Sequence, residues 1–184
     1  MKKILAILAI TTSGSLFAAT ATLEYQNQTG VNGTANSNLY QLSVREDINK
    51  NFAGDVVLNT ASKDSTGAVS SSRAEAGLTG KTTLGFVSPY MRLATGEKFT
   101  STTNFAYYSV EPGVTAPIGN TGLTARLGYR FRSAYDTSNL DTTRTARVGI
   151  SYDVTPKDRL GVRYDSVRGD SNQNSWAFNY TRGF

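Results

Sequence analysis

The 184-residue chain has no cysteine and no histidine. Without cysteine there is neither a disulfide framework nor a thiolate site for a metal. Without histidine the side chain that most often serves as a general base is missing, and with it the usual means of activating a hydroxyl nucleophile. No cluster of metal ligands, phosphate-binding loop or dinucleotide fingerprint is present, so no cofactor and no metal are expected and the chain does not read as an enzyme. A strong excess of one charge is lacking too. Of 19 Lys and Arg residues, Lys2 and Lys3 fall in the leader described below, which leaves 17 basic against 14 acidic residues, a net +3. That is too mild to imply nucleic acid. Beyond the first stretch there is no long apolar run, and the mean hydropathy is −0.32. This excludes membrane-spanning helices but not membrane-spanning strands, which need only about 9 to 11 residues each, with every second one facing lipid.

What is present begins with Met1, Lys2 and Lys3, an apolar run from Ile4 to Ile10, and small residues up to Ala18, Ala19 and Ala21. This is the pattern of a secretory signal peptide, and its apolar core is well short of the ~18 residues of a spanning helix. Cleavage before Thr22 divides the chain into a signal peptide, 1–21, and a single domain, 22–184; a cut after Ala18 suits the pattern nearly as well.

The domain repeats one plan, a run of alternating apolar and polar residues, a turn, and another such run, which is a chain of β-hairpins. The clearest run sets Leu123, Ala125, Leu127, Tyr129 and Phe131 on one face against Thr124, Arg126, Gly128, Arg130 and Arg132 on the other. The last sets Trp176, Phe178, Tyr180 and Phe184 against Ser175, Ala177, Asn179, Thr181 and Gly183. About ten strands are predicted, at 22–27, 38–48, 52–61, 70–80, 83–95, 104–116, 122–134, 142–154, 158–168 and 174–184, with 8 or 12 as alternatives. The turns around Lys50, Lys81, Ile118 and Pro156 read as short and the other connections as longer. Short turns alternating with longer loops, and an even strand count, are features of bacterial outer-membrane barrels.

A soluble sandwich or lipocalin-like barrel would alternate as well, but it would turn its apolar face inward. Here the second face carries Arg45, Asp55, Glu75, Glu111, Arg126, Arg130, Arg147, Arg163 and Asp165. Such a face lines water or an ion-pair network, since an unpaired buried charge costs several kcal/mol. The fold expected is therefore all-β, a closed antiparallel up-and-down transmembrane β-barrel in the outer membrane of a Gram-negative bacterium. Outer-membrane lipid and lipopolysaccharide surround it. The aromatic residues Trp176, Phe178, Tyr180 and Phe184 anchor the last strand in lipid, and that strand is the segment for barrel-assembly machinery to engage.

The basic residues divide accordingly. Every Lys after the leader falls in a predicted turn or loop, whereas Arg45, Arg73, Arg92, Arg126, Arg130, Arg132, Arg147 and Arg163 take lumen-facing parity, Arg92 with the help of a bulge near 87–89. Arg144 and Arg182 face outward near strand ends, where long side chains reach headgroups. Turn positions place three ion pairs across neighbouring strands, Arg45 with Asp55, Glu111 with Arg126, and Arg147 with Asp165. Arg73, Arg92, Arg130 and Arg132 are expected to form one basic wall in the outer half, with inward Phe105 and Tyr107 at the same height. Such a mouth attracts anions, which guanidinium groups hold bidentately. Two readings of the lumen follow, a small channel favouring anionic solutes and a closed barrel sealed by its own ion pairs with a structural or surface role. Asp136 and Asp141 read as solvated loop residues, and the tripeptide Arg168, Gly169 and Asp170 reads as a turn.

Residues 122–154, GLTARLGYRFRSAYDTSNLDTTRTARVGISYDV, resemble the arginine-rich hairpin of the oligogalacturonate-specific porins through Arg126, Tyr129, Arg130, Arg132, Arg144, Arg147 and Tyr152. The resemblance implies a small monomeric channel for acidic sugars. That family is longer and builds two more strands, so the lumen here would be narrower.

Overall fold

In the seventh strand of this chain, period-two alternation puts Leu127 and Tyr129 on one surface and Arg126, Arg130 and Arg132 on the other, so that a ladder of such strands separates an apolar skin from a charged interior. The computed structural model describes residues 19–31, 33–63, 66–139 and 141–184. Among these residues are ten strands, β1 (Ala19–Gly30), β2 (Ser37–Asp47), β3 (Phe52–Lys63), β4 (Val69–Lys81), β5 (Ser88–Thr100), β6 (Asn104–Pro117), β7 (Leu123–Ala134), β8 (Thr143–Asp153), β9 (Asp158–Gly169) and β10 (Gln173–Gly183). Each pairs antiparallel with its neighbours in sequence, and β1 pairs with β10, which closes the barrel and leaves no free edge. The expected fold and strand number are as observed. The signal-peptide reading falls mostly outside the described residues, while Ala19 to Ala21 belong to β1, so this strand begins before the expected 22.

An even strand number brings Ala19 and Gly183 to one end of the barrel, here called the terminal end, opposite the far end. The expected alternation of short and long connections is not kept. Residues 101–103 and 170–172 at the far end are as brief as 48–51 and 154–157 at the terminal end. Polar Ser, Thr and Asn residues carry the backbone ladder further than the apolar pattern does.

The packing is inverted relative to a soluble protein. The outward row includes Leu23, Leu93, Leu127, Val148, Leu160, Trp176 and Phe178, with Trp176 54% and Phe178 53% exposed, whereas Glu24, Glu75, Glu111, Arg132 and Asp165 are buried inside. An apolar belt around a polar interior is stable only in lipid. Tilted aromatic pairs mark the far half of the belt, Tyr25 with Tyr40 and Tyr108 with Tyr135, both at 5.4 Å between ring centroids. Arg144 and Arg182 lie on this outer face near strand ends, and Arg182 reaches Asp158 at 3.0 Å.

Inward glycines make room for the large lumen side chains. A Cβ on Gly77 would meet the Arg92 guanidinium at 2.6 Å, one on Gly96 would meet the Tyr107 ring at 2.9 Å, and one on Gly113 would meet Tyr90 at 2.3 Å. At Gly113 the Leu127 carbonyl oxygen also lies 2.6 Å from that position, and a backbone atom cannot swing aside. Gly113→Ala is therefore expected to destabilise the barrel by about 1–3 kcal/mol. Urea unfolding of the detergent-solubilised protein checks this, and an unchanged midpoint would refute the tight fit.

Candidate functional site: an arginine-lined lumen

Parity carries the lumen charges into the interior, but side-chain length decides whom they meet. In one network Arg92 of β5 donates from Nε to Asp55 of β3 at 3.0 Å and from Nη1 to Glu75 of β4 at 2.6 Å, and Arg130 of β7 holds the other Glu75 oxygen at 2.5 Å. In a second, Glu111 of β6 accepts from Arg126 at 2.7 Å, from Arg147 of β8 at 2.6 Å and from the Tyr90 hydroxyl at 3.1 Å. Asp165 of β9 continues it, at 3.7 Å from Arg147 and 2.8 Å from Arg163, and Arg163 ends it in a two-pronged grip on Glu24 of β1 at 2.8 and 2.9 Å. Bidentate, charge-assisted contacts of this kind fix geometry strongly.

A third cluster occupies the far half. Asp141, in the 135–142 loop, is only 2% exposed and bridges Lys98 at 2.8 Å and Arg132 at 2.9 Å. Lys98 also lies 5.3 Å from the centroid of the Phe105 ring, and the Arg132 guanidinium 5.5 Å from that of Tyr107, which is itself 1% exposed. Burial pushes the Asp141 carboxyl up, but Arg132, Arg73 and Lys98 outweigh that effect and hold it below its ordinary value. Asp136 in the same loop is also held low, by the backbone N–H of Ser138 that it accepts at 2.9 Å.

Several expectations are corrected by these contacts. Arg45 does stand opposite Asp55 in register, yet Asp55 pairs with Arg92 and Arg45 reaches only Asp47, at 3.6 Å. Arg147 stands opposite Asp165 as expected, but its short contact is to Glu111. Glu111 and Arg126 do meet, although not as cross-strand partners, because the β6–β7 register puts Thr115 opposite Arg126. In each case an arginine in a narrow lumen reaches past its ladder neighbour to a better-placed carboxylate. The single basic wall is also revised. The 82–87 turn, closed by the Leu84 to Val87 bridge, starts β5 at Ser88 and leaves Arg92 in the terminal half without any bulge. Its place in the far half is taken by Lys98, which was expected in a loop and instead faces the lumen from β5. Asp141 is no solvated loop residue. Tyr90, Lys98, Asp141 and Glu24 are the site residues that sequence reasoning missed; Glu24 and Tyr90 have the right parity once their strands are correctly bounded, whereas Asp141 lies in a loop with no period to read.

The described residues enclose a larger and a smaller cavity in the interior. The larger, about 550 Å³, lies in the terminal half, and the smaller, about 70 Å³, in the far half. Gln41, Asn59, Arg73, Arg130 and Arg147 line both and form a belt common to the two. Of the hairpin at 122–154, Arg126, Arg130, Arg132 and Arg147 face the lumen, whereas Tyr129, Arg144 and Tyr152 face outward. Against the expected turn, Arg168 and Gly169 are the last residues of β9, with Gly169 at φ +125°, and only Asp170 lies in the connection to β10, its carboxylate accepting the Thr142 N–H at 2.7 Å.

No protein-family model matches the chain, and no curated protein matches it. Among solved structures it is similar to an outer-membrane channel from Pseudomonas putida F1, with TM-score 0.57 and 12% identity over 94% of this chain and 97% of that one. It is likewise similar to the β domain of the Bordetella autotransporter BrkA, with TM-score 0.53 and 13% identity over 92% and 100% of the two chains. A third similar structure is the outer-membrane phospholipase A of Escherichia coli, with TM-score 0.50 and 12% identity over 89% and 92%. At such identities the likeness is one of fold, shared by a channel, an autotransporter β domain and a phospholipase, and the resemblance of residues 122–154 to oligogalacturonate porins stays one of sequence. The fold is that of the outer-membrane β-barrels of Gram-negative bacteria.

Proposed function

We propose that this protein is a small, non-enzymatic outer-membrane channel favouring anionic solutes, with its far end outward. One observation carries the reading: the two lumen cavities share Arg73, Arg130 and Arg147 in their linings, so a solute moving from one to the other passes three guanidinium groups. Rings of fixed positive charge select anions in pores, and low-dielectric walls focus their field. The narrow half suits small anions, while acidic sugars would be limited to the wider one. The absence of histidine from the sequence favours transport over hydrolysis. Lipid and lipopolysaccharide are the partners of the outer face, and β10 is the strand offered to barrel-assembly machinery.

Purified protein in planar bilayers is expected to give discrete, anion-selective conductance, with selectivity reduced in Arg130→Ala. Conductance no higher than in protein-free bilayers would refute the channel. It would favour the second reading, a closed structural barrel, which draws support from the engagement of Glu24, Glu75, Glu111 and Asp165 by arginines.

A further inference from the structure

Arg73 differs from the other arginines in the middle of the barrel. Arg92, Arg126, Arg130, Arg132, Arg147 and Arg163 each meet a carboxylate. Among the described residues Arg73 forms no ion pair and no hydrogen bond, and its Nε is buried without an acceptor. Its ladder partner on β5 is Lys98, so two cations stand directly opposite on neighbouring strands, an arrangement that is destabilising by itself. The nearby carboxylate, Asp141, is committed to Lys98 and Arg132. Arg73, Lys98 and Arg132 thus share one acidic group. Asp165, the carboxylate that lines the small cavity, is engaged by Arg163 and Arg147.

We infer that the small cavity is a binding site for a single oxyanion, a carboxylate, sulfate or phosphate, with Arg73 as its principal ligand. Arg130 and Arg132 line the same cavity and supply further charge, and Gln41, Asn59 and Thr145 supply neutral polar groups. About 70 Å³ holds a small anion and a few waters rather than a sugar ring. A planar guanidinium grips two oxygens of such a group at once. Asp141 then acts as a built-in competitor, a carboxylate of this chain that already occupies part of the basic cluster. The inference rests on the lumen being hydrated and anion-attracting, as proposed above, but not on conduction through it.

The test is equilibrium binding of inorganic sulfate, and separately of acetate, to the detergent-solubilised full-length barrel by isothermal titration calorimetry at constant ionic strength. Saturable binding at one site is expected. Arg73→Gln should weaken it by at least ~10-fold, the effect of losing one charge-assisted contact. Arg73→Lys should weaken it less, and Asp141→Asn should tighten it. Arg73→Gln removes an unpartnered cation that faces Lys98, so its urea midpoint should not fall, which separates lost binding from lost folding. No saturable binding by the unmodified protein, or equal affinity in Arg73→Gln, would overturn the site. Bilayer conductance is the independent arm: binding without conductance keeps this site and removes the channel, whereas conductance without saturable binding removes the site and keeps the channel.

Discussion

Glu111→Gln is expected to destabilise the barrel by roughly 3 kcal/mol or more, the scale of breaking a buried ion pair by removing one partner. Glu111 is 1% exposed and is the junction of its network, holding Arg126, Arg147 and Tyr90 together. Glutamine keeps the shape but not the charge, so the penalty is that of the cations left behind. It falls unequally. The Arg126 side chain is 44% exposed toward the larger cavity and stays hydrated, whereas that of Arg147 is 16% exposed and has only Asp165, at 3.7 Å, to turn to. Adding Arg147→Met to Glu111→Gln should therefore recover much of the loss, while adding Arg126→Met should recover little. Urea unfolding in detergent micelles, followed by tryptophan fluorescence from Trp176, measures all four proteins. Equal recovery by both second substitutions would show that the lumen is too wet for burial to matter.

Phe178→Arg is expected to cost about 2–4 kcal/mol, because it sets a guanidinium on the lipid face near mid-strand. Phe178 lies near the middle of β10, between Tyr25 of β1 and Val162 of β9, too far from either end for an arginine to reach water easily. The neighbouring Asn179 faces inward opposite Glu24, so Asn179→Arg brings a cation to a carboxylate and should cost far less. A shift of one residue along a strand reverses the environment, and only a lipid-facing apolar surface makes the two variants differ in this direction. Folding into lipid vesicles, followed by heat-dependent gel mobility, reads the difference. Equal tolerance of both would argue that the outward face does not meet lipid.

The two substitutions probe features that were unequally visible beforehand. That Phe178 faces away from the lumen follows from period two in residues 175–184, with no knowledge of any neighbour. That Glu111 holds Arg147 does not, because those residues sit on strands separated by β7 and their contact depends on the lumen's width. Register shows the same division. The hairpin around Lys50 is tight, and its pairing of Arg45 opposite Asp55 could be counted from the turn. The β6–β7 turn is closed by Ile118 bonding to Leu123, with Gly119 and Gly122 at φ +55° and +76°, and it sits two residues beyond the centre that the apolar pattern suggested. Glycine conformations of this kind leave no trace in an apolar–polar alternation.

The architecture and the two faces follow from the order of residues alone, because period-two patterning against lipid is a local rule that each strand satisfies independently, and charge placed on one face of every strand must enclose water. Which charges neutralise one another is settled in the folded barrel. Arginine and lysine side chains are long enough to reach over one or two strands in a narrow barrel, so the partners are set by closure and register, and a loop carboxylate such as Asp141 enters a cluster that no pattern announced. Closure left Arg73 without an ion pair among the described residues, and the anion-binding reading of this lumen turns on that residue.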